Sequence, residues 1–229
     1  MRQFAVIGLG RFGFSVAESL IKKGAQVLAI DRNEEKVQAI SEIATYAVTL
    51  DATDESALKS IGIQNVDVAV VSIGEDIEAS VLVVMILKEM GIREIVAKAI
   101  TDLHGRILVN LGVNRVVFPE GEMGKRLANS LVIPTVIDFI QLSDEYSIVE
   151  IPAPGEFEGQ TLKELGIRAR FNMNVLAIRR KVPTLDEDGE TSYAEETIMA
   201  PSADDKVEAG DILVVLGENM KFQKLSKLL

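Results

Sequence analysis

Short apolar runs alternate with segments of helical periodicity over the first 118 residues of the chain. Runs suited to strands buried on both faces of a parallel sheet cover residues 4–7, 26–30, 45–50, 66–72, 94–99 and 115–118. The segments between them have apolar residues at helical spacing, and Asn33, Asp54 and Asp76 are placed to cap three of the predicted helices. This βα repeat with short connections predicts an α/β fold, a Rossmann-like doubly wound parallel sheet.

The pattern changes after residue 118. A helix is predicted over residues 121–131 and ended by Pro134, followed by a further helix or a crossover segment over residues 136–142. The chain then becomes strand-rich, with strands predicted at 147–151, 175–179, 197–200 and 211–216, a short helix at 161–165 and a terminal helix at 221–229. The acidic residues 186–190 are interpreted as the solvated tip of a hairpin, with a cation site as the alternative. We therefore predict a nucleotide-binding Rossmann domain, residues 1–140, and a smaller C-terminal α+β domain, residues 145–229.

Composition narrows the classes of function. The 229-residue chain is 48% hydrophobic, enough for a buried core, and it has no cysteine, which excludes disulfides and thiolate chemistry. Its formal net charge of -11 opposes binding to nucleic acid and to anionic lipid, because both are themselves negatively charged. We expect a soluble cytoplasmic protein, since the apolar runs are too short to span a bilayer and the start of the chain does not fit a signal peptide.

Three glycines follow the first predicted strand and lead into a helix. Gly8, Gly10 and Gly13 fit G-x-G-x-x-G: the first permits a tight turn, the second lets the backbone approach a pyrophosphate, and the third allows close packing of helix on strand. Asp31 ends the second strand, 18 residues after Gly13, where a carboxylate accepts the ribose hydroxyls of adenosine and disfavours the 2′-phosphate of NADP. Together these features predict a bound nucleotide with its phosphates at the helix N-terminus.

Four further polar residues are expected at the carboxyl edge of the same sheet. Arg11 lies inside the glycine loop, where it contacts a terminal phosphate or is simply solvated. Asp51 follows the third strand, where it accepts from the adenine amino group or serves as a turn or helix cap. Lys98 and Glu120 lie near the ends of the fifth and sixth strands, where they serve a phosphate and a cation or form a structural salt bridge.

The sequence contains no recognisable set of catalytic residues. His104, the only histidine, falls within a predicted helix and is expected to be a surface or capping residue. The tyrosines form no Tyr-x-x-x-Lys pair, and neither a nucleophile–base pair nor a set of metal ligands stands out. This favours a nucleotide sensor over an NAD-dependent oxidoreductase of unknown substrate, which stays open as the alternative. An NAD-sensing repressor is disfavoured by the acidic charge and the lack of a basic recognition helix.

The combined motifs resemble a known family. GLGRFG at residues 8–13, the strand-ending Asp31, DATD at 51–54, VAKA at 96–99 and FPE at 118–120 resemble the regulator-of-potassium-conductance (RCK) domains, in particular the KtrA-like cytosolic gating subunits of Trk and Ktr potassium uptake systems. The later segments GQTLKELGIRARFNMNVLAIRR and VEAGDILVVLG resemble the C-lobe of the same subunits. The resemblance thus implies an N-lobe in the first domain and a C-lobe in the second.

The resemblance also implies a function and partners. Subunits of this family are not enzymes; they form homodimers that assemble into octameric rings, and the ring docks on a membrane-embedded potassium-translocating subunit. ATP and ADP, or NAD(H), compete for the crevice of the N-lobe and change the shape of the ring. The C-lobe of some members binds cyclic di-AMP, and the matching stretch of this chain contains Arg168, Asn174 and Val175.

The same resemblance implies roles for individual residues. Arg11 would reach the γ-phosphate, and Glu120 would hold that end of the nucleotide or its cation, Mg²⁺ or another divalent ion. Asp31 would hold the ribose and Asp51 would lie near the adenine. The residues expected to contact the nucleotide are Gly8, Gly10, Arg11, Phe12, Gly13, Asp31, Arg32, Asp51, Ala52, Thr53, Lys98 and Glu120.

Overall fold

The computed structural model describes residues 2–132, 137–185, 191–219 and 221–222. It divides the chain into two compact units, Met1–Gly121 and Glu122–Leu229. Among the described helices, none combines the length and the apolar character needed to cross a bilayer.

The first unit is built on a six-stranded parallel sheet. Its strands are β1 (Gln3–Ile7), β2 (Gln26–Asp31), β3 (Tyr46–Thr49), β4 (Val68–Val71), β5 (Glu94–Lys98) and β6 (Arg115–Val117). The helices that follow these strands are α1 (Arg11–Lys22), α2 (Glu34–Ser41), α3 (Glu55–Ser60), α4 (Ile77–Glu89), α5 (Asp102–Asn110) and α6 (Pro119–Val132), of which α6 begins in the first unit and continues into the second. The strand order is β3-β2-β1-β4-β5-β6, so the sheet grows in opposite directions from β1 and the predicted doubly wound fold is confirmed.

Apolar packing on both faces of the sheet explains its continuous hydrophobic runs. Ala5 and Ile7 of β1 belong to one buried cluster, whereas Val6 between them belongs to another on the opposite face. All four residues of β4 are buried. A strand of a parallel sheet covered by helices on both faces needs such a run, since neither face meets water.

Capping side chains set the starts of the helices. The side-chain oxygen of Asn33 accepts the backbone N–H of Lys36 and starts α2, and that of Asp76 accepts the N–H of Ala79 and starts α4. The carboxylate of Asp54 accepts two N–H groups at the start of α3. Each such cap contributes about 1 kcal/mol by satisfying N–H groups that the helix itself leaves unpaired. The three predicted caps are confirmed.

The second unit is built on a five-stranded antiparallel sheet in the order β10-β9-β11-β8-β7. Its strands are β7 (Asp138–Gln141), β8 (Tyr146–Pro152), β9 (Asn174–Leu185), β10 (Thr191–Met199) and β11 (Ile212–Glu218). Two short helices, α7 (Leu162–Leu165) and α8 (Ile167–Phe171), lie between β8 and β9. This unit has an apolar core of its own, which includes Phe139, Val149, Phe157, Leu165, Ile178 and Leu213.

One prediction for the second unit was wrong, and one strand was predicted too short. The helix or crossover predicted over 136–142 is occupied by β7, in which Phe139 is buried and Ile140 is exposed, as the alternation of a strand requires. The strand predicted at 197–200 runs instead from Thr191 to Met199 and pairs with β9 along its whole length. Pro134, the acidic residues 186–190 and most of the predicted terminal helix lie outside the described residues.

Candidate functional site

A cleft of about 1110 Å³ opens at the carboxyl edge of the parallel sheet. It lies where the chain leaves β1 and β4, the neighbouring strands from which the sheet is built in opposite directions. Ligands of open α/β sheets bind at this kind of topological switch point. We call it the switch-point cleft; its lining residues are 7–12, 14, 15, 18, 30–32, 36, 50–53, 72–76, 79, 98 and 120.

The glycine loop forms the floor of the switch-point cleft, and its three glycines differ in what surrounds them. Gly8 has a φ of +91°, a conformation that residues with a Cβ rarely adopt. Gly10 is the N-cap of α1 and has no side-chain cap, so the N-terminus of this helix faces the cleft without a competing side chain. Gly13 is the one predicted contact residue that does not line the cleft: a Cβ there would lie 1.9 Å from the carbonyl oxygen of Gly8. Its role is the close helix–strand packing that the motif predicts.

Ser72 links the glycine loop to the end of β4 through hydrogen bonds, and it was not predicted from the sequence. Its buried hydroxyl, directly after β4, donates to the carbonyl oxygen of Gly8, and the backbone N–H of Ser72 donates to the carbonyl of Ile7 at 2.8 Å. Residues 72–76, from the end of β4 to the cap of α4, line the cleft together. They follow the strand beside β1, so the strand order was the only signal that could have identified them.

Asp31 organises the loop from the end of β2. One carboxylate oxygen accepts the backbone N–H of Leu9 at 2.6 Å, and the other accepts that of Asn33 at 2.8 Å. The ammonium group of Lys36 lies 3.8 Å from the same carboxylate. Asp31 is therefore at the predicted place in the cleft, and it already accepts two hydrogen bonds from the protein itself.

Asp51, Ala52 and Thr53 line the adjoining part of the cleft, after β3. The hydroxyl and the backbone N–H of Thr53 both donate to one oxygen of Asp51, at 2.7 and 2.9 Å. These hydrogen bonds lower the pKa of Asp51, and the nearby charge of Arg32 lowers it further. Asp51 is thus an ionised acceptor whose second oxygen accepts no hydrogen bond from the described residues and can accept one from a ligand such as an amino group.

A basic and an acidic side chain meet at the other part of the cleft. The ammonium group of Lys98 donates to Glu120 at 2.5 Å and lies 5.9 Å from the centre of the Phe12 ring. The Lys98 side chain is 12% exposed and that of Glu120 is 70% exposed, so the pair extends from the wall of the cleft into solvent. The hydrogen bond from Lys98 lowers the pKa of Glu120 and keeps it ionised.

Arg11 is exposed on the first turn of α1 and lines the same cleft. Within the described part of the chain its guanidinium group forms no hydrogen bond or ion pair, which leaves it available to an anion. No group of three or more carboxylate or imidazole side chains suited to a metal is present among the described residues.

The prediction that His104 is a surface or capping residue was wrong. The side chain is buried on α5, and neither ring nitrogen has a hydrogen-bond partner among the described residues. Burial alone lowers the pKa of His104, because the interior disfavours the charged imidazolium. His104 does not line the switch-point cleft.

Comparison with known proteins identifies the family. Residues 4–119 match the TrkA-N domain, and residues 146–229 match the TrkA-C domain. The chain belongs to the TrkA family. The predicted resemblance to the RCK gating subunits of Trk and Ktr systems is therefore confirmed.

Relatives of this TrkA-family chain include potassium uptake proteins of similar length. The Ktr system potassium uptake protein C of Bacillus subtilis (strain 168) is 41% identical over 226 residues, which are 99% of this chain and 96% of that protein. The Ktr system potassium uptake protein A of the same organism is 38% identical over 223 residues, which are 97% of this chain and 95% of that protein. The chain is thus homologous to Ktr potassium uptake proteins over nearly its whole length.

Solved structures of the GsuK channel share the fold. This chain aligns with the GsuK channel with a TM-score of 0.65 and 18% identity, covering 99% of this chain and 39% of the channel chain. The GsuK channel bound to NAD aligns with a TM-score of 0.61 and 18% identity over the same shares. The likeness concerns the arrangement of helices and strands in the TrkA-N and TrkA-C domains.

The residues predicted for cyclic di-AMP lie in the TrkA-C domain, around α8 and the start of β9. Arg168 is exposed on α8, Asn174 is exposed at the first position of β9, and Val175 beside it is half-buried. Gly166 and Asn172, both with left-handed backbone, stand on either side of α8 and mark its two ends.

Proposed function

We propose that this chain is a cytoplasmic regulatory subunit of a potassium uptake system, which binds an adenine nucleotide and thereby gates a membrane-embedded potassium-translocating partner. The observation that carries the proposal is the switch-point cleft, which collects a glycine loop, a helix N-terminus, Asp31, Asp51 and Arg11 in a homologue of Ktr potassium uptake proteins. The relatives are named for transport rather than for a chemical reaction, which favours regulation over oxidoreductase activity.

In the proposed complex the nucleotide, ATP or ADP or NAD(H), lies along the carboxyl edge of the sheet. Its phosphates meet the N-terminus of α1 between Gly8 and Gly13, because unpaired N–H groups and the helix dipole attract anions. The ribose lies beside Asp31, and the adenine lies near the free oxygen of Asp51. Phe12, Ala52 and Thr53 complete the contacts, and Arg32 lines the cleft beside Asp31.

The terminal phosphate is proposed to lie between Arg11, Lys98 and Glu120. A third phosphate adds negative charge that Arg11 attracts directly. It also draws Lys98 away from Glu120, which then shares Mg²⁺ or another divalent ion with the phosphate oxygens. A ligand changes a conformational equilibrium only by its differential affinity for the two states, so this additional contact is what lets ATP and ADP act differently.

The two domains are proposed to bind different ligands. The N-lobe, residues 1–140, holds the nucleotide and forms the dimer, and the C-lobe, residues 145–229, binds a second regulatory ligand such as cyclic di-AMP near Arg168, Asn174 and Val175. Dimers assemble into an octameric ring that contacts the membrane only through the potassium-translocating subunit.

Calorimetric titration tests the nucleotide proposal. The wild-type chain is expected to bind ATP and ADP with a Kd of about 1 μM or lower, equivalent to about -8 kcal/mol. Arg11→Ala is expected to weaken the binding of ATP about tenfold more than the binding of ADP, because only ATP carries the phosphate that Arg11 reaches.

Arg106→Ala is the matched control, since Arg106 is an exposed arginine outside the cleft. It should leave both affinities unchanged. Equal losses of affinity for ATP and ADP in Arg11→Ala would show that Arg11 does not contact the γ-phosphate. Failure of every adenine nucleotide to bind the wild-type chain would refute the proposed function as a nucleotide sensor.

A further inference from the structure

The carboxylate of Asp31 is turned into the protein. Its oxygens accept the N–H groups of Leu9 and Asn33, and the side chain is 9% exposed. Each oxygen of this carboxylate therefore already accepts a hydrogen bond from the protein before any ligand binds. Its negative charge is also offset by the N–H dipoles and by the ammonium group of Lys36, 3.8 Å away.

Two cations line the cleft together with this carboxylate. Arg32 follows Asp31 directly, is exposed and lines the cleft, and makes no hydrogen bond or ion pair within the described residues. Lys36, one turn into α2, also lines the cleft with its side chain 48% exposed. Arg32 and Lys36 thus both line the cleft that Asp31 also lines.

The sequence alone predicts that an acid at the end of β2 disfavours a phosphorylated ribose. In the structure the carboxylate of Asp31 is largely buried, whereas Arg32 and Lys36 line the cleft and are more exposed, so two positive charges attract a phosphate at this edge. A planar guanidinium group is suited to two parallel hydrogen bonds with phosphate oxygens, and Lys36 adds a second charge.

We infer that Arg32 and Lys36 form a subsite for a phosphate on the adenosine ribose. The cleft then accepts adenine nucleotides that carry a 2′-phosphate, the chemical class of NADP(H), as readily as those without one. This inference rests on the proposed binding of the adenosine part of a nucleotide at Asp31 and Asp51, and it names an additional ligand class for the same cleft.

A matched pair of ligands tests the inference. Adenosine 2′,5′-bisphosphate differs from 5′-AMP only by the 2′-phosphate, so the ratio of their dissociation constants isolates that group. Titration calorimetry of the wild-type chain at fixed salt should give the bisphosphate an affinity equal to or higher than that of 5′-AMP. Arg32→Ala should weaken the bisphosphate about tenfold and 5′-AMP less than about twofold, and Lys36→Ala should show the same pattern with a smaller loss.

Arg106→Ala serves as the control and should leave the ratio unchanged, because it removes an exposed arginine distant in sequence from β2 and outside the cleft lining. A bisphosphate about tenfold weaker than 5′-AMP for the wild-type chain would show that repulsion by Asp31 prevails and would overturn the inference. Equal losses of both ligands in Arg32→Ala would also overturn it, since Arg32 would then contact the base. Failure of 5′-AMP itself to bind would be a different result, which refutes the adenosine site and the inference together.

Discussion

Burial determines the charge of His104, which lies on α5 away from the solvent and away from the cleft. With burial as the only cause of its lowered pKa, the folded chain keeps the ring neutral at a pH where an unfolded chain would protonate it. A histidine in water titrates near pH 6.5. Below that value His104 is protonated in the unfolded state but stays largely neutral in the folded state. The contribution of His104 to the free energy of unfolding therefore falls as the pH falls below about 6.5.

His104→Leu is expected to reduce this loss of stability. Urea unfolding at pH 7.5, 6.5 and 5.5 should show a smaller decline for the variant, with a difference of at most about 1.4 kcal/mol per pH unit. Because His104 is the only histidine, no other imidazole contributes to the difference. Ser80→Ala, which removes a buried unpaired hydroxyl from α4 but no titrating group, is the control and should keep the wild-type slope. If the free energy of unfolding declined equally with pH in wild type and in His104→Leu, the proposed contribution of His104 would be contradicted.

The residues of the cleft were predictable where a backbone motif determines their place. The glycines and Asp31 are recognised by their spacing, and Asp51, Lys98 and Glu120 by their position at strand ends. Ser72 could not be predicted, because it follows β4, and only the order of strands in space brings β4 beside β1. The burial of His104 was missed for a similar reason: a single helix turn does not reveal which of its faces will meet the sheet.

At the scale of elements, Arg180 ties β9 to the turn that precedes β11. Its guanidinium group donates to both oxygens of Asp211, at 2.9 and 2.8 Å, and to the carbonyl oxygen of Lys206 at 2.9 Å. The carboxylate of Asp211 is fully buried, whereas Glu208, a further partner of Arg180, is 58% exposed. The buried partner and the exposed partner of one arginine should therefore contribute very differently to stability.

Asp211→Ala is expected to lower the free energy of unfolding by about 3 kcal/mol or more, because it leaves a largely buried guanidinium group without its main counter-charge. Glu208→Ala, the matched control on the same arginine, should cost less than about 1 kcal/mol, since water replaces an exposed partner. Urea unfolding followed by far-UV circular dichroism measures both. Similar losses in the two variants would contradict the distinction drawn between them.

The elements of the first unit were predicted more completely than those of the second. Parallel strands covered on both faces have continuous apolar runs, and capping residues mark the helices between them. In the segment that contains β7, the apolar residues fall at a spacing that a helix also allows, and the strand exists because β8 supplies its hydrogen bonds. The polar strand β10 is likewise defined by its pairing with β9, which no local pattern records.

The whole molecule combines strong acidity with exposed apolar side chains. Its net charge of -11 opposes random association, yet Leu82 and Met85 on α4, and Leu103 and Val109 on α5, are exposed. The opposite side of α4 is buried against the sheet, so this helix is apolar around most of its circumference. A helix of this kind is typical of a subunit whose outer face is covered in an assembly.

Light scattering coupled to size exclusion is expected to give a mass of more than two copies of the 24.9-kDa chain. Because the subunits carry like charge, raising the salt concentration should favour the larger species. A monomer at every salt concentration would contradict the proposed ring, whereas a dimer alone would support only the first step of assembly.

Gly10 and Gly13 constrain the evolution of this chain in different ways. Substitution at Gly13 places a Cβ 1.9 Å from a backbone carbonyl, so selection for folding alone preserves glycine there. At Gly10 a Cβ would have no described atom within 4 Å, so folding tolerates drift and only an occupant of that space would prevent it. A lineage that had lost its ligand would therefore keep the third glycine of the motif and lose the second. Across related sequences, we therefore expect glycine at the second position of the motif, rather than the whole motif, to indicate that nucleotide binding has been retained.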